Sequence, residues 1–376
     1  LATAAEYRGL GFASSLVAAA ERRGREQGSV LGLVRTRAAP LFARRGWAVC
    51  GRHSFSTAGA RQILAQLQST AEGLDGCRHA GGSDDSRPLD SAYDLLRPAA
   101  RPAIFLRPLR RIELPAVMRL YEQSLAGRHG SPVRSEAYWE WLLNRGACHR
   151  SYVASEGPES SDIKQQLAAI RGAVFIHEGR IVELLVERGR PDIAEHLVAR
   201  VCGDASELDH WQVRLDAPPD DPVHKLLEAA GGRFHLADEL GGEAFMAKAL
   251  QPRQLLESLG PTLASRLHAA GVPRPAMLGL EIQGGAKEPR SRLPEVARLR
   301  LEFTGRGMKL AAGPLGRCYV SLRLKDLAPL VLGHWDLAEA LEAERMAASS
   351  KQARELAGIL FPRLAWWRPP LDDLLA

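Results

Sequence analysis

The sequence is poor in cysteine, and its cysteines stand far apart. Five occur among 376 residues, and no two of them form a C-x-x-C pair. They are Cys50, Cys77, Cys148, Cys202 and Cys318. This spacing argues against a zinc site and against a disulfide framework, and it is typical of proteins in a reducing cytoplasm. The sequence therefore predicts a cytoplasmic protein that carries no metal.

Long apolar runs and targeting signals are also missing. No stretch approaches the roughly 20 apolar residues that a membrane-spanning helix needs, so no membrane partner is predicted. No secretory signal peptide is visible. The chain opens on Leu1 and not on methionine, inside what should be a domain, and we expect it to be a fragment.

The positive charge is not concentrated in a patch. The formal net charge is +6, but the arginines that produce it are spread along the whole chain. A protein that binds nucleic acid would be expected to show a clustered basic face or a recognisable motif. We interpret the arginines as solvated faces with some charge for an anionic cofactor, and we predict no nucleic-acid partner.

The informative feature is a glycine-bearing turn near the start of the chain. Residues 1–3 are predicted to end a strand, and a helix is predicted to run from the turn towards Gln27. The first amides of a helix have no internal partner, and the positive end of its dipole favours anions. Gly9 and Gly11 lack a Cβ, so positive φ and close approach of a ligand are both available. The turn predicts a phosphate site, with an ordinary strand-to-helix turn as the alternative.

The helix that follows is predicted to be amphipathic. Leu16, Val17 and Ala20 should form its apolar face, with Glu21 and Arg25 on the solvated face. Further along, the pattern predicts a buried strand over 30–34, a short helix over 40–46 and a strand over 47–55.

Two motifs at this separation resemble the acetyl-CoA half of a GNAT-family N-acetyltransferase. They are Arg8-x-x-Gly11-x-Ala13 and Leu41-Phe42-x-Arg44-x-Gly46-Trp47. The resemblance implies that the first residues end the strand beside the pantetheine arm of acetyl-CoA, and that the amides from Gly9 to Ala13 hold the pyrophosphate. The implied cofactor site consists of Leu1, Ala2, Thr3, Arg8, Gly9, Leu10, Gly11, Phe12 and Ala13.

The chain is too long for one ordinary core, and two or three domains are expected. Residues 1–67 resemble the C-terminal half of an acetyl-CoA-binding GNAT domain, and residues 68–102 predict a linker. Residues 103–250 predict an element order that again resembles a GNAT module, with one of its strands over 166–175. The turn Arg188-Gly189-Arg190-Pro191 lacks the phosphate-loop motif, so this second module is expected to be degenerate and to bind no cofactor.

Residues 251–376 predict a small antiparallel sheet with helices. This pattern resembles the sterol-carrier-like domain that closes the Eis-type acetyltransferases, which also have two GNAT modules. The predicted fold class is therefore α/β (α+β), with tandem GNAT-type mixed sheets flanked by helices and a small antiparallel-sheet C-terminal sterol-carrier-like domain. Eis-type relatives form hexamers, so a homo-oligomer is left open here.

The resemblance implies an acyltransferase that moves an acetyl group from acetyl-CoA to a primary amine, on a small molecule or on a lysine side chain. Many relatives place a tyrosine as general acid where Phe42 stands, and Phe42 cannot donate a proton. In Eis-type relatives the C-terminal carboxylate is the base, so Ala376 is a candidate here, with Asp372 and Asp373 as substitutes. The alternative is a frayed surface tail. No catalytic residue is assigned.

Trp366 and Trp367 are expected to anchor the tail by packing. Because the GNAT elements that would precede Leu1 are missing, inactivity of the chain on its own is an alternative to catalysis. A different hypothesis is a catalytically inactive GNAT-derived binding or scaffold protein, which Phe42 and the degenerate second module favour. Another alternative makes the C-terminal sheet a lipid-binding module.

Overall fold

The computed structural model describes residues 4–79, 103–146, 148–157, 160–284 and 296–373. The strand end predicted at the start of the chain, the linker beyond residue 79 and the carboxylate of Ala376 lie outside these ranges.

The chain forms two compact units, and each is built from two separated stretches of sequence. Unit 1 contains the described residues up to His53 together with Ala237–Trp366. Unit 2 contains Ser54–Leu236 together with the described residues from Trp367 onward.

Strands and helices alternate through much of the chain. The strands are β1 (Leu31–Thr36), β2 (Ala48–Val49), β3 (His53–Gly59), β4 (Ile104–Pro108), β5 (Arg150–Glu156), β6 (Ile170–His177), β7 (Arg180–Val186), β8 (Gln212–Asp216), β9 (Arg233–Ala237), β10 (Glu239–Leu240), β11 (Glu243–Ala249), β12 (Ala276–Gln283), β13 (Val296–Thr304), β14 (Gly307–Ala312), β15 (Tyr319–Arg323) and β16 (Met346–Ala348). The helices are α1 (Phe12–Glu26), α2 (Ala39–Ala43), α3 (Ala60–His79), α4 (Leu114–Leu125), α5 (Glu136–Asn144), α6 (Ile163–Ala169), α7 (Pro191–Glu207), α8 (Val223–Ala229), α9 (Pro252–Ser258), α10 (Gly260–Ala269), α11 (Leu324–Val331), α12 (Leu337–Glu342) and α13 (Lys351–Leu360). Short 3-10 turns lie at Ala5–Tyr7, Arg111–Glu113 and Pro370–Asp372.

The first sheet of unit 1 is organised around β11. This strand pairs antiparallel with β1 from Leu31↔Ala249 to Thr36↔Ala244, and it also pairs antiparallel with β2 and β10. Almost every residue of β11 is buried, as expected of a strand covered on both faces. Helices α1 and α2 contribute to the same core, whose buried members are Val17, Phe42, Trp47, Ala244 and Met246.

The second sheet of unit 1 has the strand order β14-β13-β12-β15-β16. Buried and exposed or half-buried residues alternate along β13, because one face of the sheet meets the helical layer and the other meets solvent. The prediction of an antiparallel sheet holds for most neighbours but is wrong for β12 and β15, which run parallel. The β13–β14 hairpin acts as the long crossover that a parallel pair requires.

Unit 2 is built on a seven-stranded sheet of order β4-β5-β6-β7-β8-β3-β9. Successive strands from β4 to β7 are antiparallel, whereas β7 and β8 are parallel. Helices α3, α7 and α8 pack on one face, and α4 and α5 pack on the other. Neighbouring residues of β5 and β6 therefore belong to different cores, as the two-residue period of a strand requires.

The compact units do not follow the boundaries predicted at residues 67 and 250. Strand β3 joins the unit 2 sheet by pairing with β8, and β11 joins β1 in unit 1. Helix α3 extends to His79, into the predicted linker, and α6 occupies the first part of the strand predicted over 166–175. The period of hydrophobic residues indicates which face of a strand is buried but not which strand it pairs with.

In the ranges described, no helix is both long and apolar enough to cross a membrane.

Candidate functional site

The predicted phosphate turn lies between the 3-10 turn Ala5–Tyr7 and α1. Gly9 and Gly11 have φ of 82° and 84°, and Gly11 is the N-cap of α1. Apart from the adjacent residues, no described atom lies within 4 Å of a Cβ built on either glycine. Glycine is therefore favoured here by the left-handed backbone and not by crowding, because other residues adopt this conformation only at a cost of about 1–2 kcal/mol.

The N-terminal end of α1 points into solvent. The N–H of Ser15 donates to the carbonyl of Gly11 at 3.0 Å, which is the first bond of the helix. Within the described residues no side chain caps this end. The amides that precede Ser15 in α1 have no partner inside the helix, so they and the helix dipole can receive an anion.

The structure brings six of the nine predicted site residues together on this turn: Arg8, Gly9, Leu10, Gly11, Phe12 and Ala13. All except the half-buried Ala13 are exposed. The rings of Tyr7 and Phe12 meet edge to face, with centroids 6.3 Å apart. Leu1, Ala2 and Thr3 lie outside the described residues, so their assignment to the cofactor stays a prediction.

The buried face of α1 differs from the predicted one. Val17 is buried as expected, but Leu16 is 57% exposed and Ala20 is also exposed. Glu21, predicted on the solvated face, is only 5% exposed. The reason is that the helix turns Val17 and Glu21, four residues apart, towards the sheet, where Glu21 finds buried ionic and hydrogen-bond partners.

Glu21 is the centre of a buried polar cluster. Its carboxylate accepts from the indole Nε1 of Trp47 at 2.8 Å and from Nζ of Lys248 at 3.4 Å. Arg45 and Arg25 place guanidinium nitrogens 3.7 and 3.8 Å from it. Nζ of Lys248 also donates to the carbonyl of Arg45 at 2.5 Å.

This cluster ties three parts of unit 1 together. Glu21 lies on α1, Lys248 on β11, and Arg45 and Trp47 follow α2. It therefore helps to fix the direction of the helix that begins at the glycine turn. The sequence analysis missed Lys248, because lysine is almost never fully buried. The available signal was its position inside β11, where the neighbouring residues are buried.

Phe42 belongs to the core of the first sheet. It is buried and meets Trp47 edge to face, with ring centroids 5.4 Å apart. Its place in the core with Val17 and Met246 explains an apolar ring at this position. A phenylalanine donates no proton, so the structure provides no general acid here.

The described part of the tail, as far as Asp373, is packed against the protein. The prediction that Trp366 and Trp367 pack is confirmed, since both rings are buried. Asp372 and Asp373 lie in unit 2, where Asp372 pairs with Arg134 and Asp373 with Arg368. The frayed-tail alternative is therefore wrong for the described residues from Trp367 to Asp373.

The side chains of the described ranges show no metal-binding geometry. There, no group of three or more His, Cys, Asp and Glu residues could hold a metal ion.

Comparisons with known proteins give matches of structure only. No protein-family model and no curated protein matches the sequence. A GCN5-related N-acetyltransferase from Anabaena variabilis superimposes with a TM-score of 0.65 at 15% identity, covering 98% of this chain and 79% of that one. One from Kribbella flavida gives 0.62 at 17% identity, covering 98% and 78%. Eis1 from Mycobacterium abscessus gives 0.54 at 16% identity, covering 98% and 81%.

These matches extend over nearly the whole chain, so they include both units. At such low identity they establish the architecture and not the chemistry. The predicted class of mixed sheets flanked by helices is confirmed. The chain has the fold of the GCN5-related N-acetyltransferases, a fold that it shares with Eis1.

Proposed function

We propose that this chain is an N-acyltransferase that binds acetyl-CoA at the turn Arg8–Ala13 and transfers the acetyl group to a primary amine. The shared fold supports acyl transfer in general. The observation that carries the finer proposal is the turn itself, in which two glycines at positive φ lead into an exposed helix N-terminus.

The pyrophosphate of acetyl-CoA would lie on the first amides of α1. Its negative charge is favoured by the helix dipole and by the guanidinium of Arg8 in the same turn. Because these donors are held by the backbone of a packed helix, little ordering is needed when the anion binds. Residues 1–3 are proposed to line the pantetheine arm.

The reaction requires the amine nitrogen to attack the thioester carbonyl. A C–N bond forms, the C–S bond breaks, and the sulfur leaves as a thiolate while the nitrogen loses a proton to a base. Phe42 supplies no proton for the thiolate, so the acid is another group or the thiolate leaves unassisted. Precise positioning of two bound substrates supplies much of the rate in such a transfer. The acceptor is proposed to be a small-molecule amine or a lysine side chain.

The experiment is a thermal-shift titration with acetyl-CoA on wild type, Gly11→Ala and Gly28→Ala. Gly28 is a matched control, because it follows the other end of α1 with φ of 81° and no described atom within 4 Å of a built Cβ. Ligand at about one hundred times its Kd should stabilise wild type by about 2.7 kcal/mol. The shift should shrink in Gly11→Ala and persist in Gly28→Ala.

A folded wild type that shows no shift would end the acetyl-CoA proposal. Equal losses of the thermal shift in the two variants would show that acetyl-CoA does not bind at this turn. The second candidate function, an inactive GNAT-derived scaffold, is favoured by the core position of Phe42. Acetyl-CoA binding without turnover of any amine in a panel would support that candidate.

We also propose assignments for the C-terminal domain, the localisation and the partners of the protein. The second sheet of unit 1 is proposed as the sterol-carrier-like domain, supported by its five strands and the helices that pack on it. Lipid found by mass spectrometry in the purified protein would favour the lipid-binding alternative. We further propose a cytoplasmic protein that uses no metal, has no nucleic-acid or membrane partner, and is a candidate for homo-oligomerisation.

A further inference from the structure

Strands β7 and β8 of unit 2 pair over a very short distance. Their parallel register covers only Arg180↔Arg214 and Ile181↔Leu215. Beyond it, Glu183–Leu185 of β7 line a small cavity with Ala217 and Pro218, which follow β8. Trp367 and Pro369 also line this cavity. Crevices at the carboxyl ends of parallel strands are common ligand sites in open sheets.

The segment Trp367–Asp373, here called the C-terminal segment, lies against β7 in the manner of a bound peptide. The N–H of Trp367 donates to the carbonyl of His129 at 2.9 Å, and the carbonyl of Leu371 accepts from Arg145. The side chain of Leu371 is buried in the core that α4 and α5 share with the sheet. Main-chain bonds at both ends with an apolar anchor between them are typical of peptide recognition.

Arg134 makes the most specific contact with this segment. Its Nε and Nη2 donate to the two carboxylate oxygens of Asp372 at 3.1 and 2.9 Å, and this bidentate pair is completely buried. The guanidinium carbon lies 4.1 Å from the ring centre of Tyr121 and 4.4 Å from that of Trp139. A guanidinium held by two rings is prepared for a carboxylate before that carboxylate arrives.

A second carboxylate makes this contact replaceable. Nη1 of Arg134 donates to Glu183 at 2.7 Å, so two buried carboxylates share one guanidinium. Burial raises the pKa of Glu183 to about 7, with the charge of Asp372 adding to the rise and that of Arg134 opposing it. If Asp372 leaves, Glu183 still pairs with Arg134, and no arginine is left buried without a counter-charge.

We propose that this crevice is a binding site for peptides that carry a carboxylate after an apolar residue, with Arg134 as its recognition residue and the C-terminal segment as its replaceable internal ligand. Arg134 and the C-terminal segment belong to unit 2, whereas the proposed acetyl-CoA turn belongs to unit 1. Its ligand class follows from the Leu371–Asp372 pair that occupies it.

The test uses a fluorescent peptide with the sequence of residues 366–373 and measures its anisotropy with the full chain. Wild type, Asp372→Asn and Asp373→Asn are compared. The Asp372→Asn chain should bind the peptide roughly tenfold or more tightly than wild type, because its own segment competes less well. The Asp373→Asn chain should behave like wild type, since the ion pair of Asp373 is with Arg368 inside the segment itself.

The peptide supplies a second comparison. Replacing Asp372 by Asn within the peptide should weaken its binding roughly tenfold or more, and replacing Asp373 should not. Equal binding by the wild-type and Asp372→Asn chains would overturn the proposal. So would indifference to which aspartate of the peptide is replaced, or no binding to a folded Asp372→Asn chain.

Hydrogen exchange of wild type keeps the proposal testable if Asp372→Asn does not fold. The N–H groups of Asp372 and Asp373 donate to carbonyls of Pro369 and Pro370. These two amides should exchange roughly tenfold or more faster than the amides of β6, because the segment opens without unfolding the sheet. Equal rates would show that the segment leaves only on global unfolding, and the internal-ligand proposal would fail.

Discussion

Glu21 shows how one side chain can hold several parts of a unit in place. Its carboxylate is the negative partner of Lys248, whose side chain is buried and which also donates to a backbone carbonyl. Taking the carboxylate away removes a counter-charge from a buried lysine, which is strongly destabilising. Trp47 would lose less, because an amide oxygen in place of the carboxylate can still accept from its indole N–H.

The first prediction is therefore that Glu21→Gln lowers the free energy of unfolding of unit 1 by roughly 3–5 kcal/mol. Glu26→Gln is the control on the same helix, because Glu26 and its partner Arg23 are both largely exposed. That change should cost less than about 1 kcal/mol. Urea unfolding at neutral pH measures both, and equal losses would show that burial of Glu21 does not matter.

At the scale of elements, α7 lies very close to β6. A Cβ built on Gly172 of β6 would lie 2.5 Å from Cγ2 of Ile193 and 2.9 Å from Cδ1 of Leu197. Both isoleucine and leucine are fully buried in α7, so neither can move aside freely. The absence of a side chain at Gly172 thus sets the distance between helix and sheet.

The second prediction compares two glycine-to-alanine changes in this pair of elements. Gly172→Ala should destabilise unit 2 by roughly 1–3 kcal/mol, because the extra methyl group overpacks the interface. Gly203→Ala, within α7 and with no described atom within 4 Å of its built Cβ, should stabilise by about 1 kcal/mol, since alanine favours helix. Opposite shifts in the urea midpoint are expected, and shifts of the same sign would contradict this packing account.

The sequence predicted elements better than it predicted their partners. The glycine turn and α1 follow from local patterns, and the structure contains both of them. The buried run of β11 fits the centre of any sheet, so its pairing with β1 was not foreseeable from period alone. The placement of Glu21 was likewise missed, because its partner Lys248 is distant in sequence and a lone acidic residue on a helix is usually solvated.

At the scale of the whole molecule, each unit contains a buried titratable group, and the two act in opposite directions. In unit 1, Nδ1 of His334 lies 3.3 Å from the N–H of Gly51 and must accept from it, so the ring is neutral. Burial lowers the pKa of His334 to about 4, with Arg52, Arg345 and Arg363 adding to the effect and Asp238 opposing it. In unit 2, burial raises the pKa of Glu183 to about 7.

The third prediction is that acidification lowers the free energy of unfolding of unit 1 and raises that of unit 2. Between pH 6.5 and 4 the unfolded chain binds a proton at His334 that native unit 1 excludes, so unit 1 loses stability as the pH falls. Between pH 7 and 4.5 native unit 2 holds a proton on Glu183 that the unfolded chain has released, so this group adds stability to unit 2 as the pH falls. Each effect is on the order of 3 kcal/mol.

Hydrogen exchange followed by mass spectrometry resolves the units and measures both trends. His334→Asn, which keeps an acceptor near Gly51, should flatten the trend of unit 1 alone, and Glu183→Gln should flatten that of unit 2 alone. His268→Gln is the control, because His268 is exposed on α10 and should leave both trends unchanged. Parallel trends in the two units would contradict the assignment of these groups.

Domain organisation was the least predictable level. The sequence predicted successive domains, whereas each unit combines an early stretch with a late one. Composition and turn signals mark where a helix or strand ends. They carry no information about which early strand a much later strand will pair with. The pairing of β3 with β8 and of β11 with β1 accounts for the two compact units.

Because each unit combines an early and a late stretch of the chain, some of its strands are synthesised long before their partners. A ribosome releases β1 and β2 long before β11, so the sheet beside the glycine turn has no central strand while all of the intervening chain is made. Strand edges without partners attract other chains, and distant pairings form slowly. The C-terminal segment is made after every strand of both units, so the carboxylate of Asp372 reaches Arg134 only after both sheets have been synthesised. Nascent chains of this protein should therefore expose the unpaired edges of β1 and β2 until β11 has been made.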